Sequence, residues 1–232
     1  AAVGDLVADG LVIVHGGTGM ILDPGGHKIY AKVLGETFSI LRDAKLGHIF
    51  LSHQDPDIVA ALNGWLMTTD AQAYVSSLWL RFVPHFGVDE FVADRLKPIP
   101  DEGMVFDLDG ARLLILPAHF LHSEGNFQLY DTVAKILYSG DLGASLGANY
   151  VEVKDFDAHI RFMEGFHRRY MCSNRVMKAW ADMVRPLDIE IIAPQHGAYF
   201  KGKEMVHRFI DWCADLECGM DLMTSMYRIP AA

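Results

Sequence analysis

Apolar and polar positions along this chain follow two periods, and the switches between them predict its elements. Short β-rich runs at Leu11–His15 and Met20–Asp23 flank His15-Gly16-Gly17-Thr18-Gly19 and predict a hairpin, with residues 1–9 as a lead-in. Phe38 and Leu41 give helical spacing between Gly35 and Asp43. Ile49-Phe50-Leu51 reads as a buried strand stopped by Ser52-His53, and Pro56 opens a helix over 57–67 carrying Ile58, Leu62, Trp65 and Leu66. Ala73–Val75 reads as a strand. The stretch 77–91 is helical or irregular, with Trp79, Phe82, Phe86 and Phe91 suited to a core or a pocket wall.

From Lys97 to Leu142 the pattern is β-rich, with runs at Lys97–Ile99, Met104–Leu108, Arg112–Leu116, Phe127–Tyr130 and Ile136–Ser139, predicting a second sheet. Phe156, Ile160, Met163, Phe166 and Tyr170 place a helix over 155–186. Leu187–Ala193 reads as a strand and 202–217 as a last helix. Two sheets with helices outside predict an α/β (α+β) fold, a four-layer αβ/βα sandwich spanning 1–232 as one domain.

Composition narrows the partners. A formal charge of −10 over 232 residues repels a phosphate backbone, which argues against nucleic acid. No apolar run reaches transmembrane length and no signal peptide opens the chain, so no membrane partner is expected. Three cysteines, Cys172, Cys213 and Cys218, form neither a disulfide framework nor a zinc ribbon and suggest a reducing, cytoplasmic compartment. Eleven histidines in an acidic chain point to metal.

Four apolar runs deliver a histidine or aspartate just past their C-terminal ends. The first is followed by His53, Asp55 and Asp57, the next by His119 and His122, and the last two by Asp141 and His196. Taken singly, Asp55 reads equally well as a helix N-cap, Asp57 as a complement to the helix dipole and His53 as a loop residue. Taken together, His53, Asp55, Asp57, His122, Asp141 and His196 supply three imidazoles and three carboxylates, enough for two metal ions sharing one bridge.

In order along residues 11–200, Asp23, His53-x-Asp55-x-Asp57, His122, Asp141 and His196-Gly197 resemble the motifs of the metallo-β-lactamase superfamily. Hydrolases of that superfamily carry H-x-H-x-D-H in the first loop, whereas a carboxylate at the second position resembles the flavodiiron branch, with its H-x-E-x-D-H pattern. Stand-alone oxygen-binding diiron proteins of this type are the nearest resemblance. It implies that His53, Asp55 and His122 hold one iron, that Asp57 and His196 hold the other, and that Asp141 bridges them. Carboxylates make a site harder and favour iron over tetrahedral zinc. Two departures stand out. Asp55 is one methylene shorter than the glutamate of the pattern, and Ile58 occupies the place of its last histidine. The second iron would then be more open or would take His119, Glu124 or His85 instead.

The resemblance implies a non-haem diiron protein that binds, or also reduces, O2 or NO. The aromatic 74–91 stretch would wall its pocket. The chain shows no Gly-rich phosphate loop and ends soon after the last helix, so no flavin is expected. Electrons would come from a separate redox protein, or the chain would act as a sensor or carrier with a signalling partner. A binuclear zinc or manganese hydrolase of esters, lactones or phosphodiesters is the alternative reading, and a binding module without chemistry is a third. Base rates favour a homodimer if the chain self-associates.

Overall fold

The computed structural model describes residues 11–230, so the lead-in expected over 1–9 lies outside the described residues. The chain runs β1 (Leu11–His15), β2 (Thr18–Leu22), α1 (Tyr30–Leu41), β3 (Lys45–Phe50), α2 (Pro56–Val59), α3 (Leu62–Thr68), β4 (Gln72–Ser76) and β5 (Leu96–Ile99). It continues with β6 (Met104–Leu108), β7 (Ala111–Pro117), β8 (Phe127–Asp131), β9 (Ile136–Gly140), α4 (Phe156–Tyr170), α5 (Asn174–Val184), β10 (Ile191–Pro194), β11 (Phe200–Lys201), α6 (Lys203–Asp215) and α7 (Met220–Met223). One sheet has the order β1-β2-β3-β4-β5 and the other β11-β10-β9-β8-β7-β6.

The expected sandwich follows from strand alternation, because successive side chains leave a strand on opposite faces. Ile49 and Leu51 join the core under the first sheet's helices, while Phe50 between them joins a separate core shared by both sheets. Leu113, Ile115 and Leu129 point into that shared layer. Tyr130 and Leu137 instead pack with Met163, Trp180 and Phe209 from the helices on the second sheet. Three apolar layers therefore separate four layers of structure.

Several boundaries differ from the sequence expectation. The first helix begins at Tyr30, ahead of Gly35, because Val33 lies on the same buried face as Thr37 and Leu41. The helix expected over 57–67 is two short ones, broken at Ala60 and Ala61. The helix expected over 155–186 is also two. The backbone turns extended at Met171, the Cys172 N–H donates to the Phe120 carbonyl, and the Asn174 N–H is taken by the Asp221 carboxylate. Residues 96–99 belong to the first sheet, paired in parallel with β4, because Leu96 completes that sheet's outer core. The last long strand starts at Ile191, and β11 had no periodic signal at two residues. No helix among the described residues is long and apolar enough to cross a membrane.

His167 of α4 is fully buried beneath the second sheet's loops. Its Nδ1 donates to the Met163 carbonyl at 2.7 Å, and its Nε2 accepts from the Gly143 N–H at 2.8 Å. Burial pushes its pKa down from 6.5 to about 4. The folded chain keeps this ring neutral. Its contribution to stability is therefore complete above about pH 6.5 and is lost as the pH falls toward 4, where only the unfolded chain takes up the proton. The shift corresponds to a loss on the order of 3 kcal/mol. Urea titrations of metal-free protein from pH 7 to pH 4 should show this loss. His167→Gln should be less stable at pH 7 with a shallower pH slope, and a variant keeping the wild-type slope would assign the titration to another group.

Candidate metal centre

Strand direction brings the candidate ligands to one rim. β2 and β3 run parallel in the first sheet. In the second, β7 and β9 are both antiparallel to β8, and β10 is parallel to β9, so all three point the same way. The residues that follow these strands emerge together, and the Phe127 N–H donates to the Ser52 carbonyl at 2.9 Å, tying the two sheets at this edge.

Each candidate side chain is set by its local backbone. Asp55 occupies the N-cap position of α2, yet its side chain makes no capping bond, which leaves the carboxylate to face the rim. His122 sits in a tight turn at φ +80°, a conformation uncommon for a residue with a Cβ. The Phe120 N–H donates to the Ser123 carbonyl, the Asn126 amide donates to the Leu121 carbonyl, and the His122 ring packs against Phe166 and Tyr170 of α4. Gly140 takes φ +56° immediately before Asp141. Gly197, after His196, takes φ +92° where a Cβ would run into Ser145.

The inner half of the site is compact. His122 Nε2 lies 3.0 Å from Asp55 Oδ2, and His53 Nε2 lies 3.7 Å from the same oxygen. The rings of His53 and His122 stand edge to face with centroids 5.0 Å apart. Among the described residues, His53, Asp55 and His122 are the group whose donor atoms gather within 4.8 Å of one another. The outer half pairs His196 Nε2 with Asp57 Oδ2 at 3.3 Å. Asp141 straddles the two halves. Its Oδ2 lies 3.4 Å from His122 and 3.9 Å from His53, and its Oδ1 lies 3.8 Å from His196.

Electrostatics and orphaned atoms agree with this division. Among the described residues, the buried His53 Nε2 and Asp141 Oδ1 have no hydrogen-bond partner, a costly arrangement for side chains that a cation would satisfy. Burial opposes charge on His53, but Asp55, Asp141 and Asp23 outweigh it and raise its pKa. The His122 and His53 imidazoles hold the Asp55 carboxyl well below the usual range, and His196 lowers Asp57. Asp23 is pushed up to about 6 by burial, offset in part by His53 and Ser52.

A family model described as ODP family beta lactamase matches residues 7–197. The chain belongs to the ODP family. It is 42% identical, at a TM-score of 0.85, to a chemotaxis sensor ODP whose structure is described as a peroxy diiron species, covering 94% of this chain and 90% of that one. It is 41% identical, again at 0.85, to the apo state of chemotaxis sensor ODP from T. denticola, covering 94% and 91%. The rubredoxin oxygen:oxidoreductase of Desulfovibrio gigas shares the fold at 16% identity and a TM-score of 0.74, over 89% of this chain and 52% of that chain. No curated protein matches the sequence.

Within this ODP-family chain the two departures from the flavodiiron motif have distinct outcomes. Asp55 reaches the inner group despite its missing methylene. Ile58 is fully buried among Ile49, Leu51 and Leu62, so the motif's histidine position is spent on packing. His119 is not gathered with the six candidates. Its Nε2 donates to the Asp101 carbonyl at 2.7 Å and its ring packs on Phe127. Glu124 and His85 are exposed and absent from the gathered donors. The aromatic 74–91 stretch is divided: Val83 is buried and Trp79 and Phe86 pack onto the first sheet's core, while Phe82 and Phe91 are exposed. Trp79 also lies under the His122 loop, where a Cβ on Gly125 would meet its indole.

Sequence reading passed over Ser52, whose Oγ lies 2.9 Å from His53 Nδ1 and whose N–H donates to Asp23 Oδ1 at 2.7 Å. Its one signal was a polar side chain at the end of a buried strand. In metal-free protein the His53 imidazole should titrate above 6.5, and Asp55→Asn should bring it down. Long-range 15N–1H NMR of the ring nitrogens would test this. An unmoved His53 would mean that Asp55 does not govern its charge.

Proposed function

We propose that this chain is a non-haem diiron protein whose ligand is O2 or NO and whose role is that of an oxygen sensor. The observation that carries the reading is the division of the two Asp141 oxygens between two donor groups, the arrangement a carboxylate bridge between two ions requires. Membership of the ODP family and whole-chain similarity to a chemotaxis sensor described as a peroxy diiron species support iron and oxygen over a zinc hydrolase. The reading assigns His53, Asp55 and His122 to the inner iron, Asp57 and His196 to the outer, and Asp141 to both.

The donor set fits such a pair of ions, being three imidazoles and three carboxylates with buried, unpartnered atoms turned to the same rim. When bound, two ferrous ions supply electrons and open coordination positions to a diatomic ligand. The protein's part is orientation and exclusion of water. The Ser52 hydroxyl at Nδ1 turns Nε2 of His53 toward the site. Phe166 and Tyr170 shield one face of His122. The inner half is the drier, with the His53 side chain 1% exposed against 55% for Asp57. Ile58 leaves the outer half with one imidazole, the more open of the two. A signalling partner, rather than a redox protein, is the partner this reading favours.

Anaerobic loading should bring two ferrous ions per chain, and admitting O2 should produce a visible charge-transfer band. Two irons without such a band would exclude oxygen binding. Zinc in protein from ordinary growth, with esterase or phosphodiesterase turnover, would establish the hydrolase instead. Asp141→Ala should lose both metals, and full occupancy in that variant would remove the bridge.

A further inference from the structure

Between His53 and Asp55 stands Gln54, a residue no ligand motif uses. Its Nε2 donates to Asp55 Oδ1 at 3.3 Å, while Asp55 Oδ2 is the oxygen that faces His122 and His53. Its Oε1 accepts from the Ser123 hydroxyl at 2.5 Å. This orientation of the amide is forced, because an ionised carboxylate only accepts and so must meet the NH2 end. Ser123 is buried and follows His122 directly; its carbonyl accepts from the Phe120 and Asn126 N–H groups that close the turn. One side chain from the loop after β3 thus bonds a carboxylate on its own loop and the turn after β7, which belongs to the other sheet.

We infer that Gln54 is a positioning residue for the metal centre: its amide clasps the two ligand-bearing loops, fixing Asp55 through its outer oxygen and His122 through Ser123. The inference rests on the proposed reading of the site as a metal centre. Asp55 lacks the reach of a glutamate, and a short carboxylate has fewer torsions with which to find its ion. Holding Oδ1 leaves Oδ2 aimed at His122. Anchoring Ser123 keeps the unfavourable backbone of His122 in place without metal, so that the energy of binding is not spent on forming the turn.

The test is metal affinity and the ligand-field spectrum, using Co2+ as the probe under anaerobic conditions with a competing chelator, on the full chain. Gln54→Met and Ser123→Ala should each weaken binding at the inner position about 10–100-fold. The double variant should be little worse than Gln54→Met alone, since that substitution already removes the bond to Ser123. Gln54→Glu keeps the size and the acceptor for Ser123 but sets an oxygen against Asp55, and should bind more weakly than Gln54→Met. The d–d bands of the bound cobalt should shift in all of them, while the thermal midpoint of the metal-free chain stays near the wild type. Wild-type affinity and spectrum in Gln54→Met, or strictly additive losses in the double variant, would overturn the clasp while leaving the metal centre standing. A wild-type chain that bound no cobalt, iron or zinc would overturn both.

Discussion

Ser52 bonds in three directions, and the rim of the molecule depends on it. Its N–H reaches Asp23 after β2, its carbonyl receives the Phe127 N–H at the start of β8, and its hydroxyl meets His53. The residue is buried, so each bond lost would leave a polar group unpaired at about 1–3 kcal/mol. These contacts join the two sheets at the edge where both deliver their polar residues. They also explain a buried aspartate at position 23. Burial raises its pKa, and His53 and the Ser52 N–H offset part of that penalty.

The two halves of the site are built to different standards. The inner half lies on the loops after β3 and β7, pinned by buried hydrogen bonds and by aromatic rings of α4. The outer half, Asp57 and His196, lies at the solvent edge. Ile58 explains much of the difference. A histidine there could serve an ion, but α2 is only four residues long, and its Ile58 and Val59 are needed to close the first sheet's outer core. Packing and ligation compete for one position, and in this chain packing holds it.

The inner half also carries backbone strain. His122 keeps a positive φ because its neighbours fix the turn from several sides. The same turn reaches further, since the Phe120 carbonyl accepts from Cys172 where α4 ends. The break between α4 and α5 and the shape of the turn that carries His122 are therefore parts of one arrangement. The Asn174 N–H, freed by that break, is taken by Asp221 near the C-terminal end of the described chain.

Periodicity in the sequence determined the layers, because alternation in strands such as Ile49-Phe50-Leu51 decides which side chains face which core. Residue chemistry past the strand ends named the six candidate ligands, since His and Asp at such places have few structural reasons to recur. Local pattern could not determine which sheet took residues 96–99, nor where long apolar runs broke into two helices. Those depended on partners such as β4, Phe120 and Asp221, which are distant in sequence. The assignment of Asp55 to the rim rather than to capping, of Ile58 to the core, and of Ser52 and Gln54 to supporting bonds was likewise a tertiary decision. In each case the side chain had two chemically acceptable uses, and only its tertiary surroundings selected between them.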